Sequence, residues 1–91
     1  MEVSRLKWQE IRKQYPNQWV LIEALKANSQ KNNREIQDMA VISEYNDSTA
    51  AWRGYKALHL ANPLRELYIF HTSNEQIEVI EDRFTGIRRN A

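Results

Sequence analysis

The amino-acid sequence predicts an α+β fold, in which two α-β-β units form a four-stranded, mainly antiparallel sheet with two helices. Apolar residues recur at helical spacing in two stretches, and each stretch ends at a proline, Pro16 or Pro63. An apolar run that suits a buried strand follows each proline, and a segment with an excess of acidic residues follows each run. The sequence therefore predicts a pseudo-repeat of residues 1–45 and 46–83, followed by a tail at 84–91.

The first predicted helix is amphipathic. Trp8, Ile11 and Tyr15 are separated by three and four residues, which places them on one side of a helix. Ser4 is a candidate N-cap, because its hydroxyl can accept a hydrogen bond from a free backbone N–H group. Pro16 ends the helix, since the residue before a proline is pushed out of the α region.

Two strands complete the first unit. Residues 18–25 carry apolar side chains on both faces, which is typical of a strand that is buried on both sides. Residues 26–33 are polar and rich in Asn, so they are predicted to form a loop. Residues 34–45 are predicted to form the second strand.

The second unit begins with another helix. Asn46-Asp47-Ser48 is a helix start signal, and the helix is predicted to end near Ala61, before Asn62-Pro63. Gly54 lies inside this helix and costs roughly 1 kcal/mol relative to alanine, which either a close helix contact or the approach of another backbone segment would explain. One helical stripe is predicted to contain Ala51, Trp52, Tyr55, Leu58 and His59.

The second pair of strands closes the predicted sheet. Residues 66–72 are apolar on both faces, Ser73-Asn74 suits a tight turn, and residues 76–82 alternate as an edge strand does. If a pseudo-two-fold axis runs perpendicular to the sheet, the two apolar strands are central. The predicted strand order is then 2-1-3-4.

Length and composition limit the classes of protein. The chain of 91 residues is one domain, residues 1–91, and its net charge of +1 gives no overall attraction to nucleic acid or anionic lipid. It contains no cysteine, which excludes disulfides and thiolate zinc sites. The charged N-terminus does not suit a signal peptide, and no run is long enough to span a membrane. A cytoplasmic protein is expected.

Four segments resemble a family of short uncharacterised bacterial proteins. The segments are YPNQWVLIEA, DSTAAWRGYKALH, RELYIFHTSNE and FTGIRR, and together they extend over nearly the whole chain. The resemblance implies a small, free-standing bacterial protein. It brings no activity, cofactor or catalytic residue with it.

One short segment has the residue types of a catalytic site. His71, Thr72 and Ser73 follow an apolar run, and a hydrolase or nuclease would use His71 with Glu66 or Glu81 as the orienting carboxylate. The chain contains no nucleophile-elbow motif. The alternative is a strand end whose hydroxyl groups satisfy the backbone of a turn, and this structural interpretation is favoured.

Metal and nucleic-acid sites are less well supported. The two histidines, His59 and His71, lie on different elements and no zinc motif is present, so we predict no metal site and no cofactor. A weak nucleic-acid site could use three arginines near the C-terminus, but no RNA-binding motif accompanies them. These are Arg83, Arg88 and Arg89.

The apolar strands suggest a partner. Two helices on one face of the sheet would leave the other face open, and a large exposed apolar face is usually covered by a second chain. We therefore expect a non-enzymatic interaction module that forms a homodimer or binds an unidentified protein. The alternative is one helix on each face. Candidate interface residues are Trp19, Leu21, Tyr68 and Phe70.

Overall fold

The computed structural model describes residues 5–30, 33–77 and 79–80. Within them the chain is α+β: two helices and a three-stranded antiparallel sheet with the order β2-β1-β3, which confirms the predicted fold class at this level. A fourth strand of two residues, β4, pairs with the far end of β2. The elements are α1 (Trp8–Gln14), β1 (Trp19–Gln30), β2 (Asn33–Tyr45), α2 (Ser48–Ala61), β3 (Leu67–His71) and β4 (Val79–Ile80).

Both helices end two residues before a proline, as the sequence predicts. The carboxylate of Asp47 caps α2 by accepting a hydrogen bond from the backbone N–H of Ala50 at 2.8 Å, and α2 ends before Pro63 as predicted. The shorter α1 begins after Lys7, and Ser4, the candidate N-cap, lies outside the described residues. In the turn after α1, Asn17 has a φ of 55°, a left-handed conformation that asparagine tolerates better than most residues. No helix in the described part of the chain is long and apolar enough to cross a membrane.

The hairpin of β1 and β2 is longer than the sequence predicts. β1 continues to Gln30 and β2 starts at Asn33, so most of the predicted loop at residues 26–33 is paired strand. The predicted loop is therefore wrong. Its polar residues still pair in a ladder, and the consecutive residues Asn28 and Ser29, which point to opposite faces, are both exposed to water.

The predicted strand order of 2-1-3-4 is confirmed for β2, β1 and β3 but is wrong for the fourth strand. The order found is β3-β1-β2-β4, so β4 pairs with β2 and does not form a hairpin with β3. The long first hairpin explains the difference, because it extends the outer edge of β2 as far as Asn33, where Ile80 pairs with it.

The two helices cover opposite faces of the sheet. α1 packs against Val20 and Ile22, whereas α2 lies over Leu21 and Tyr45. Successive residues of a strand point to opposite faces, so each helix has a face of its own. We refer to them as the α1 face and the α2 face. The buried core on the α1 face consists of Trp8, Ile11, Val20, Ile22 and Met39.

Candidate interaction surfaces

In the described part of the chain, the side chain of His71 contacts Ser73 and Trp19. Its Nδ1 atom lies 2.8 Å from the hydroxyl oxygen of Ser73 and accepts a bond from the backbone N–H of Ser73 at 3.2 Å. Its ring packs edge-on against Trp19, with 5.1 Å between the ring centroids. Glu66, one of the two predicted carboxylate partners, is bonded to Arg34 instead, and Glu81 lies outside the described residues. The described residues therefore bring no carboxylate to His71.

Thr72, the middle residue of the predicted triplet, links the end of β3 to the turn between α1 and β1. It is 3% exposed, and its hydroxyl donates to the backbone carbonyl of Tyr15 at 2.6 Å and accepts from the backbone N–H of Gln18 at 2.9 Å. Its own backbone carbonyl accepts from Nε of Arg12 at 2.9 Å. A hydroxyl that satisfies the backbone of a turn is the structural role that the sequence favours for this segment.

The four predicted interface residues do not lie on one surface. Trp19 and Leu21 belong to the α2 face, and Leu21 is only 1% exposed. Tyr68 and Phe70 belong to the α1 face, where the Phe70 ring meets Trp8 edge-on at 5.7 Å. Leu21 lies beneath α2, and Tyr68 and Phe70 pack against the core of the α1 face, so the four residues do not form one open apolar face.

Two ion pairs anchor the start of β3. On the α1 face, Nε and Nη2 of Arg34 donate to the two carboxylate oxygens of Glu66 at 2.7 and 2.8 Å. On the α2 face, Arg65 donates in the same bidentate way to Glu23, at 2.7 and 3.2 Å. Hydrogen bonding to its arginine lowers the pKa of each glutamate. Burial, followed by the 2.7 Å hydrogen bond that it donates to Glu66, raises the pKa of Tyr68 to about 12.

The outer surface of α2 and the turn after it expose large apolar side chains. Trp52 is 52% exposed, Leu60 is 77% exposed and Leu64 is 99% exposed. Trp52, Lys56 and Leu60 follow each other at intervals of four residues, so they form one ridge along the helix. Arg53 is exposed beside this ridge. Because α2 contains no acidic residue, this surface is both apolar and basic. We call it the α2 ridge.

The stripe predicted for α2 is therefore partly wrong. Ala51 is fully buried and Leu58 is half-buried, but Trp52 and His59 face outwards. The rings of Trp52, Tyr55 and His59 stack along one flank of the helix, with centroid separations of 5.2 and 5.5 Å. The helical spacing of the apolar residues fits either orientation, and only the packing of small residues against the sheet decides between them.

A shallow apolar groove separates the other flank of α2 from β2. Its volume is about 330 Å³. Gly54, Ala57 and Ala61 form the helix wall, and Leu21 and Ile42 form the floor. Ile42 reaches the groove because of a β-bulge: the pairing steps from Leu21–Ser43 directly to Ile22–Val41, which leaves Ile42 as the additional residue on β2. The sequence pattern of β2 did not predict this bulge.

Metal and nucleic-acid sites do not emerge from the described residues. No group of three or more histidine, aspartate or glutamate side chains within them could hold a metal ion. The predicted nucleic-acid residues, Arg83, Arg88 and Arg89, lie outside the described residues.

Comparisons with known proteins identify no relative. No family model, no curated protein and no solved structure matches the chain. The resemblance to short bacterial proteins therefore stays an expectation, and a function has to be argued from the surfaces described above.

Proposed function

We propose that this protein is a small, non-enzymatic interaction module that binds a protein partner through the α2 ridge. The observation that carries the proposal is the exposure of Trp52 and Leu60 on α2 and of Leu64 in the turn that follows it. Several large apolar side chains exposed on one helix and its adjoining turn commonly mark a binding surface, since leaving them in water gains nothing for folding. The groove beside α2 extends the same apolar surface towards β2.

The charge of the α2 ridge defines the chemistry of the partner. Arg53 and Lys56 accompany the apolar side chains, and the helix has no acidic residue to neutralise them. An acidic amphipathic helix would bury its apolar side chains against Leu60 and Leu64 and place its carboxylates near the two basic residues. Two basic residues are few for binding nucleic acid, where phosphate contacts supply most of the affinity. They are also few for binding an anionic membrane, where each contributes roughly 1 kcal/mol.

A panel of defined probes tests this proposal. The probes are a synthetic amphipathic helix with leucines on one side and glutamates on the other, the same helix with lysines in place of glutamates, phosphatidylglycerol vesicles and single-stranded DNA. We expect calorimetry to detect binding of the acidic helix only. Replacing Leu60 and Leu64 with glutamate should weaken that binding at least roughly tenfold, because two buried apolar contacts are lost and two repulsive charges are added.

A matched variant distinguishes the loss of apolar contacts at the α2 ridge from the effect of the added negative charge. Gln14→Glu combined with Asn28→Glu adds the same two negative charges at exposed positions outside α2, and this variant should bind the acidic helix almost as the parent does. Tighter binding to vesicles or DNA than to the acidic helix would contradict the proposal. So would equal binding by the variant at Leu60 and Leu64.

A further inference from the structure

Among the residues that the structure describes, β3 is an outer strand of the sheet, and backbone groups on its outer edge have no partner. Ala24 donates its N–H to the carbonyl of Glu66, and Thr72 donates its N–H to the carbonyl of Gln18. The backbone N–H and carbonyl groups of the even-numbered residues of β3 therefore point towards β1. In an antiparallel ladder the alternate residues face away. The N–H and carbonyl groups of Leu67, Ile69 and His71 therefore point outwards. Within the described residues, only the carbonyl of His71 has a partner there, Asn74.

The opposite edge of the sheet is protected, which makes the open edge of β3 more informative. On β2, the backbone of Met39 exchanges two hydrogen bonds with Leu6, and β4 pairs at Asn33 and Arg34. The pairing of β1 with β2 also has irregularities, such as the bulge at Ile42, that disturb a straight edge. Bulges, covering segments and charged residues are the usual protections of an edge strand. The segment Leu67-Tyr68-Ile69-Phe70-His71 has no bulge and contains no lysine, acidic residue or proline.

We propose that β3 pairs antiparallel with β3 of a second copy, in a register centred on Ile69, to form one continuous sheet. This proposal goes beyond binding at the α2 ridge and does not depend on it. A second copy is the occupant that the strand itself favours, because the uncharged segment is self-complementary: in this register Ile69 lies opposite Ile69 and Tyr68 lies opposite Phe70. A two-fold axis through that residue places Leu67 opposite His71 of the second copy, and the two Ile69 residues opposite each other.

This register pairs most of the free backbone groups of both copies, and the Leu67 N–H is the exception because the His71 carbonyl is already bonded to Asn74. The two Ile69 residues exchange two hydrogen bonds, and each His71 N–H donates to the Leu67 carbonyl across the axis, which gives about four bonds. On the α1 face, Tyr68 meets Phe70 of the second copy as a close, non-hydrogen-bonded pair. The Tyr68 and Phe70 rings already stack within one chain at 5.8 Å, so the pairing extends the aromatic row across the axis.

The short edge sets the strength of the dimer. Five residues per chain form an interface in the small, transient class, so we expect a dissociation constant on the order of micromolar. Sedimentation equilibrium over the micromolar concentration range should therefore show a reversible change from monomer to dimer.

Single cysteines test the register directly, because the chain has no cysteine of its own. In the proposed dimer the two Ile69 positions lie about 5.5 Å apart between Cα atoms, within the range that a disulfide spans. The two His71 positions are four strand residues apart, roughly 13 Å, which is too far. Ile69→Cys should form a covalent dimer under mild oxidation, and His71→Cys should not.

The outcomes separate the proposal from other occupants of the edge. A wild-type chain that stays monomeric through the micromolar range would overturn it and would leave the edge to a strand from another protein. Dimers in sedimentation without cross-linking of Ile69→Cys would mean that a different surface pairs. Equal cross-linking at positions 69 and 71 would indicate random collision. Circular dichroism of both cysteine variants shows whether they keep the parent fold.

Discussion

Thr72 fastens the end of β3 to the turn between α1 and β1. Its buried hydroxyl bonds to the backbone carbonyl of Tyr15 and the backbone N–H of Gln18, two residues that are themselves half-buried. Thr72→Val keeps the shape of the side chain but leaves both groups without this partner. Because an unsatisfied buried polar group costs about 1–3 kcal/mol, we expect chemical denaturation to show a loss of stability in that range.

Serine at the same position is the matched control. Thr72→Ser retains the hydroxyl and removes only a methyl group, so it should lose less stability than Thr72→Val. If the valine variant were as stable as the parent, the two hydrogen bonds would contribute nothing to folding. His71 and Ser73 do not share this role, since their side-chain contacts with each other are exposed and local.

At the scale of elements, the approach of α2 to β2 depends on Gly54. A Cβ atom at this position would lie 2.1 Å from the hydroxyl oxygen of Tyr45 and 2.7 Å from its Cζ atom. Gly54→Ala therefore has to displace the Tyr45 ring, and we expect it to destabilise the protein by about 1 kcal/mol despite the better helix propensity of alanine. The close contact accounts for a glycine inside a helix.

A double-mutant cycle isolates this contact. With Tyr45→Ala already present, the ring is gone, and Gly54→Ala should stabilise the protein by up to about 1 kcal/mol through helix propensity alone. The sign of the effect at position 54 should thus reverse between the two backgrounds. An equal effect of Gly54→Ala in both, measured by urea unfolding, would show that the Tyr45 ring does not restrict the helix.

The elements differ in how far the sequence predicts them. The bounds of α2 follow from Asp47 and Pro63, which act on the backbone locally. The polar end of the first hairpin does not look like a strand, because both of its faces meet water and the apolar alternation disappears. The position of β4 depends on the length of that hairpin, whereas the predicted order assumed a pseudo-two-fold repeat, which placed the fourth strand beside β3.

The candidate surfaces were harder to predict than the elements. Trp52 has the spacing of a core residue, yet the small Ala51 takes the buried position because α2 lies close to the sheet. Leu64 is apolar but lies in a turn, where no periodicity identifies its environment. The open edge of β3 depends on strand order, which is a property of tertiary pairing. Residue patterns identify apolar side chains, but they do not show which of them remain uncovered.

For the whole molecule, Tyr68 links stability to alkaline pH. Its pKa is raised from 10.0 to about 12 in the folded chain, so folding favours the protonated phenol. This contribution to stability is fully present below pH 10 and is lost as the pH rises towards about 12, because the unfolded chain releases its proton first. We expect the free energy of unfolding to fall over this interval, as measured by urea titrations.

Tyr68→Phe tests the assignment. The variant lacks the titrating group, so its stability should decline less over the same pH interval, while the other three of the four tyrosines contribute equally to both proteins. An identical alkaline decline in the variant and the parent would remove Tyr68 as the cause.

The consecutive residues Arg65 and Glu66 also fix the register in which β3 pairs with β1. The side chains that follow them are apolar on both faces of β3. A shift of the pairing register by one residue would therefore exchange one apolar face for the other, at little cost in hydrophobic free energy. The same shift in either direction would move Glu66 to the side of Glu23 and Arg65 to the side of Arg34. Attraction would become repulsion on both sides at once. The apolar side chains of β3 determine that the strand is buried, and the two ion pairs at its start determine its pairing register.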